Sequence, residues 1–223
     1  MKRLLTVLTV LFLVLAIGVA GVSLWQRENI KSVLVGITED AVEIERQRKE
    51  NQSNLVDELN EYMDVPVREL TDEEKQQIEN GETSTTDVYQ EVFEANATES
   101  GAETATLSDK DSIISKYMAQ LYGLQNTYTA RAEALISQGA SYYENRKASE
   151  QASSARAATI AHFTPKVRGL ESECDGKVEA VISNLKTDLE AIGADTSIIT
   201  TIRATYENEK KLKLSYYASK YLN

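Results

Sequence analysis

The sequence predicts an all-α protein: an N-terminal transmembrane helix and stalk, then an elongated, coiled-coil-like antiparallel three-helix bundle. Three observations carry this expectation. An almost unbroken apolar run occupies residues 4–25, directly after Met1-Lys2-Arg3. Beyond it, large apolar residues recur at spacings of three and four, and no alternating Val/Ile/Thr run suggests a strand. Two prolines and ten glycines in 223 residues leave long stretches without a helix breaker.

The first element is the apolar run. Its 22 residues carry no charge, and at about 1.5 Å per residue a helix of that length crosses the hydrocarbon core of a bilayer. Trp25 stands where an interfacial aromatic belongs. A cleavable signal peptide is the competing reading, with Gly18-Val19-Ala20 as the cleavage site, although signal apolar regions are usually shorter. Lys2 and Arg3 before the span keep the amino terminus cytoplasmic and put the rest of the chain outside. The membrane is thus the first partner, through this helix.

Residues 26–81 read as a helical stalk. Ile30, Leu34, Ile37, Ala41 and Ile44 form a heptad seam, interrupted by Arg48 and Asn51 and resumed at Leu55 and Tyr62. A lone stalk would leave that stripe in water. Ile30, Leu34, Ile37 and Ile44 are therefore candidates for self-association into a homo-oligomer, with folding back on the chain's own bundle as the alternative. Pro66 breaks the helix, and Thr71-Asp72-Glu73-Glu74 opens a short polar one that Gly81 closes.

Residues 82–108 are rich in Thr, Ser, Glu and Ala and read as a flexible acidic linker, because they hold too little apolar surface to offset ordering entropy. Within them Val88, Tyr89, Val92 and Phe93 cluster at helical spacing, either as a patch docking on the chain's own bundle or as a recognition helix for a protein partner.

Residues 109–223 read as the bundle. Ser108 and Asp111 cap a first helix whose apolar positions include Ile114, Tyr117, Leu121, Leu124, Tyr128 and Leu135. Asn145 to Ser154 is the expected loop. A second helix bends or restarts at Thr164-Pro165 and runs to Ile192; a fresh start at Pro165 would make four helices instead of three. Gly193 ends it, and Asp195 caps the third.

The charge is uneven. From Glu39 to Asp111 there are 22 acidic and 6 basic residues; from Ser112 onward, 12 acidic and 14 basic. The overall −11 disfavours nucleic acid, whose backbone would be repelled. A single cysteine, Cys174, precludes an internal disulfide. Glu171, Glu173, Cys174 and Asp175 are compact, but a soft metal wants a second Cys or a nearby His, and His162 is the chain's one histidine. No nucleophile–base motif occurs. No catalytic, metal or cofactor residue is expected, and the chain reads as a non-enzyme.

Tyr216, Tyr217 and Tyr221 are expected level with Tyr142 and Tyr143 in a parallel pair of helices. They form an aromatic core layer or a stacking platform for a glycan or partner helix. Lys210, Lys211, Lys213 and Lys220 near them suit a helix carboxy terminus or an anionic wall polymer.

The stretch Leu170-Glu171-Ser172-Glu173-Cys174-Asp175, with Tyr206-Glu207-Asn208-Glu209-Lys210-Lys211-Leu212-Lys213 and Tyr216-Tyr217, resembles the carboxy-terminal helical region of uncharacterised single-span envelope proteins of clostridia-like Gram-positive bacteria. The resemblance covers about the last hundred residues and implies an envelope location without implying an activity. The expected function is a membrane-anchored, extracytoplasmic structural or interaction protein whose bundle binds another envelope component. An accessory subunit of a membrane transport or secretion complex is the alternative, and a cell-wall-acting enzyme the third.

Overall fold

A computed structural model describes residue 35 and residues 38–64, 70–79, 82–99 and 108–222. The apolar run at 4–25, and with it Ile30, Leu34 and Ile37, lies outside them. Among the described residues no helix is long and apolar enough to cross a membrane.

The described chain is all-helical. Six helices follow in order: α1 (Ala41–Tyr62), α2 (Asp72–Glu79), α3 (Thr85–Glu99), α4 (Asp109–Lys147), α5 (Ala152–Ala191) and α6 (Ile198–Leu222). Local chemistry sets most of the ends. Asp40 accepts from the Val42 amide and opens α1, so the stalk expected as one helix from residue 26 restarts here. Thr71 and Glu74 exchange side-chain bonds with each other's amides at 3.2 and 2.7 Å, a reciprocal capping box. Ser108 Oγ receives the Asp111 amide and starts α4. Gly193 takes the left-handed conformation at φ 70°. Ala194 and Gly193 donate back to Leu189 and Glu190, which closes α5 in a Schellman motif.

Pro165 does not start a fresh helix: the second helix runs through it as part of α5. Its missing amide leaves one carbonyl a turn earlier without a partner, at Ala161, which is exposed and accessible to water. The break is tolerated because it faces solvent.

The chain divides into two compact units. One comprises residues 52–129 and 173–205. Its core is aliphatic: Leu55, Leu59 and Met63 from α1, Ile114 and Met118 from α4, Ile182, Leu185 and Leu189 from α5, and Ile198, Ile199 and Ile202 from α6. Each large aliphatic side chain buried contributes about 1.5–3 kcal/mol. Tyr117 Oη donates to Asp188 at 2.6 Å and Tyr128 Oη to Glu173 at 2.7 Å, pairing α4 and α5 antiparallel.

The same unit carries α3, in the stretch expected as a flexible linker. Its composition is as polar as expected, but docking supplies what composition lacks. Val88 and Val92 are buried, and Tyr89 stacks on Tyr122 of α4 with ring centroids 4.0 Å apart and planes 14° apart. Asn126 donates to Thr85 Oγ1 at 2.9 Å. The approach is close enough that a Cβ on Gly123 would collide with Thr86 Oγ1.

The other unit comprises residues 1–51, 130–172 and 206–223. Its described core is smaller, more aromatic and more polar: Ile44, Tyr143, Phe163 and Tyr217, with Arg48, Thr159, Ser215 and Ser219 also buried. The three hydroxyls donate to the backbone carbonyls of Ala155, Lys211 and Glu39, which removes the cost of burying them.

Gly123→Ala is expected to destabilise the full chain by about 1–3 kcal/mol through overpacking. Adding Thr86→Ala removes the colliding oxygen and restores most of the loss. Thermal melts of the two variants check this; an unchanged melt for the single variant refutes the close docking of α3.

Candidate functional site

Two clusters in the unit formed by residues 1–51, 130–172 and 206–223 concentrate its unusual chemistry. The first joins α1 to α6. Arg48 Nη2 and Nε meet Glu209 Oε1 at 2.5 and 2.8 Å, and Nη1 meets Glu45 at 2.8 Å. The Arg48 and Glu209 side chains are only 11% and 13% exposed, so the pair is largely desolvated. Lys213 stands nearby; burial and then the Arg48 charge push its ammonium below the ordinary lysine range, while Glu209, Glu133 and Glu45 act the other way. Glu209 Oε2 is buried without a hydrogen-bond donor. This is a register lock between helices, and it explains why the apolar seam of the stalk is interrupted at Arg48.

The second cluster lies where α4 ends and α5 begins. Tyr142 stacks on His162, centroids 4.8 Å apart and planes 3° apart, and Phe163 meets both rings edge-on. Arg146 lies 5.6 Å over Tyr142, Lys147 5.5 Å over Tyr143 and Lys166 4.6 Å over Phe163. Residues 151–170 contain Arg156, Lys166, Arg168 and His162 and no acidic residue. The nearby acids are spoken for: Glu150 pairs with Arg146 at 2.6 Å and Glu144 with Lys147 at 3.8 Å. The Nε atoms of Arg146 and Arg156 are buried without an acceptor, so donors exceed acceptors at this end. Planar guanidinium groups beside stacked rings suit a phosphate, a carboxylate or a sugar acid.

No protein family, curated protein or solved structure matches the chain.

The residues singled out from the sequence fall in several places. Ile44 is fully buried inside the chain; its face of α1 is turned inward. Val88, Tyr89 and Val92 lie in α3 against α4, with the two valines buried; Phe93 is in the same helix, but its side chain lies outside the described residues. Tyr217 is buried and donates to Glu133 at 3.1 Å. Tyr216 is half-buried and meets the Tyr217 ring edge-on at 5.7 Å. Tyr221 belongs to α6, with its side chain outside the described residues. Tyr142 does not sit level with Tyr217, as its place in the first bundle helix suggested, because α6 has 25 residues against 40 in α5 and stops short of that end. The Tyr142–His162 pair was missed; the acid-free run of residues 151–170 was the available signal.

Among the described residues no group of three His, Cys, Asp or Glu is arranged to hold a metal ion. Cys174 is half-buried.

Two outcomes are expected. Arg48→Met should cost about 3–5 kcal/mol, because it leaves Glu209 buried and unpaired, while Arg48→Met with Glu209→Met should recover most of the loss. Equal melts for the single and double variants refute a coupled pair. The second concerns Asp188, whose carboxyl is held below the ordinary aspartate range, first by the Tyr117 hydroxyl and then by Lys116. A depressed folded pKa stabilises the fold above the unfolded pKa and is lost as pH falls through the folded value. Tyr117→Phe should raise the Asp188 midpoint toward the ordinary range in an NMR titration and flatten the acid side of the stability curve.

Proposed function

We propose that this chain is a membrane-anchored, extracytoplasmic interaction protein that fixes its helical bundle to an anionic component of the cell envelope. The observation that supports it best is the basic and aromatic end of α4 and α5, in a chain whose net charge is −11. A net negative chain disfavours anions overall, so guanidinium groups gathered beside stacked rings support this end as the place where an anion is favoured.

The span of residues 4–25, with Lys2 and Arg3 before it, supports the anchor and its orientation. The carboxy-terminal resemblance to single-span envelope proteins agrees with that location. The lock between α1 and α6 makes α1 part of the folded body, which supports a bundle carried close to its anchor. A second reading, an accessory subunit of a membrane transport or secretion complex, is supported by Ala16 and Ala20, whose spacing gives a small-residue face for helix pairing within the bilayer.

Protease added to intact protoplasts is expected to digest the chain beyond Gln26 while the span stays with the membrane pellet. Complete protection overturns the orientation, and release of the whole chain as a soluble protein overturns the anchor. Affinity capture separates the two readings: under the first, a chain lacking residues 1–25 retains its envelope component, and under the second it loses it.

A further inference from the structure

The height of the basic end relative to the start of α1 follows from the helix register. Ser219 Oγ donates to the Glu39 carbonyl at 2.9 Å, and Arg48 meets Glu209, so α1 and α6 run antiparallel with Glu39 level with Ser219. Lys210 pairs with Glu171 and Tyr142 stacks on His162, so α5 runs antiparallel to both α6 and α4. Tyr217 donates to Glu133, which puts those two residues level on parallel helices. Glu39 is thus level with a point on α4 near Leu135. From there α4 continues to Lys147, about 12 residues or about 18 Å at the helical rise. It projects past the start of α1 on the side from which the chain arrives.

Residues 26–38 separate Trp25 from that level. Glu39 N donates to Val35 O at 2.8 Å, and Val35 and Thr38 are helical. These 13 positions are enough chain to reach about 20 Å at a helical rise, and more if extended. That length of chain is enough to bring the overhang of the α4–α5 hairpin level with the end of the apolar run.

We infer that the end of this hairpin, with Arg146, Lys147 and Arg156 around the turn at residues 148–151, docks on the anionic headgroups of the leaflet that holds the span. The inference rests on the anchored reading above and names its anionic component as lipid phosphate. The turn suits close approach: Ala148, Ser149 and Gln151 are small or polar and exposed. Arg156 is not matched by any acid in residues 151–170, and guanidinium binds phosphate through paired donors. Tyr142, with its ring on the hairpin and its hydroxyl 3.4 Å from Arg146 Nη1, has the amphipathic character that places aromatic side chains at a membrane interface. Docking there would make the bundle a braced body rather than one swinging on its span.

The test uses the full chain with Cys174→Ser, reconstituted into vesicles and labelled with a fluorophore at Ser149→Cys. A second sample carries the label at Thr187→Cys, an exposed position farther along α5. Vesicles contain headgroup-nitroxide lipid in either a zwitterionic or a phosphatidylglycerol-rich background. The expected result is that the protein floats with both vesicles and the label at 149 is quenched more than that at 187. Quenching at 149 is stronger in the anionic background. Each neutralisation among Arg146→Gln, Lys147→Gln and Arg156→Gln lowers the docked-to-undocked ratio about fivefold. Lys147→Gln alone keeps the charge test readable if the arginine variants fail to fold. A chain that floats with equal quenching at 149 and 187 overturns the docking and leaves the anchor standing. Quenching at 149 indifferent to lipid charge overturns phosphate recognition. A chain that does not float overturns the docking and the anchored reading together.

Discussion

Arg48 and Glu209 are the constraint on which the packing of α1 depends. An amphipathic helix with Ile44, Leu55, Leu59 and Met63 on one face is driven toward any apolar surface, but that drive has no direction and tolerates slippage by a turn. A largely desolvated ion pair does not. Moving α1 by one turn on α6 would part the Glu209 carboxylate from its guanidinium and leave Arg48 with Glu45 alone, and a buried carboxylate without its partner is costly. The pair thus favours the one register in which Arg48 meets Glu209. The same placement accounts for Lys213, whose ammonium is disfavoured by burial and by the neighbouring Arg48 charge. The cost of a crowded positive site is accepted because Glu45, Glu209 and Glu133 surround it.

A different kind of constraint holds α3. It has no ion pair of that type and little apolar surface, so helix propensity alone would leave a segment of 15 residues marginal in water. Fit replaces bulk. The missing side chain of Gly123 lets Thr86 close on α4, and this approach brings Tyr89 into stacking distance of Tyr122 and seats Val88 and Val92. Burial under that contact pushes the Tyr122 phenol well above its usual range, with Tyr89 adding to the effect.

This contrast separates what could be read in the sequence from what could not. Signals that act over three or four residues were legible: the Thr71/Glu74 and Ser108/Asp111 caps, the Gly193 stop and the Asp195 start all correspond to hydrogen bonds in the structure. The all-helical class followed from spacing. The destination of an apolar face was not legible, because a stripe such as the one ending at Ile44 fits another copy and the chain's own bundle equally well. Nor could composition reveal α3, whose order comes from a glycine about 37 positions downstream in the chain. The tyrosine levels were misjudged for a third reason: register depends on the summed lengths of helices and turns, and a helix as short as α6 cannot reach where a longer one would.

The length mismatch also explains the chemistry of the candidate site. α4 and α5 have 39 and 40 residues, and α6 has 25. Near their shared turn, α4 and α5 therefore continue beyond the reach of α6. Among the described residues only these two helices form this tip, and two helices alone cannot enclose a broad aliphatic stripe, so the residues there solve a different packing problem. Tyr143 is buried against Ala140 and Ala155, a large ring set into a gap left by small side chains. Phe163 closes the next layer, and its edge supports the stacked Tyr142 and His162 rings. Rings packed this way keep polar edges or faces near the surface, where Arg146, Lys147 and Lys166 lie over them at 4.6–5.6 Å. An aliphatic core at the same place would have offered cations no such seats. The basic character of this end is thus a consequence of how a two-helix tip can be packed. It also sets this end apart in a chain whose net charge is −11.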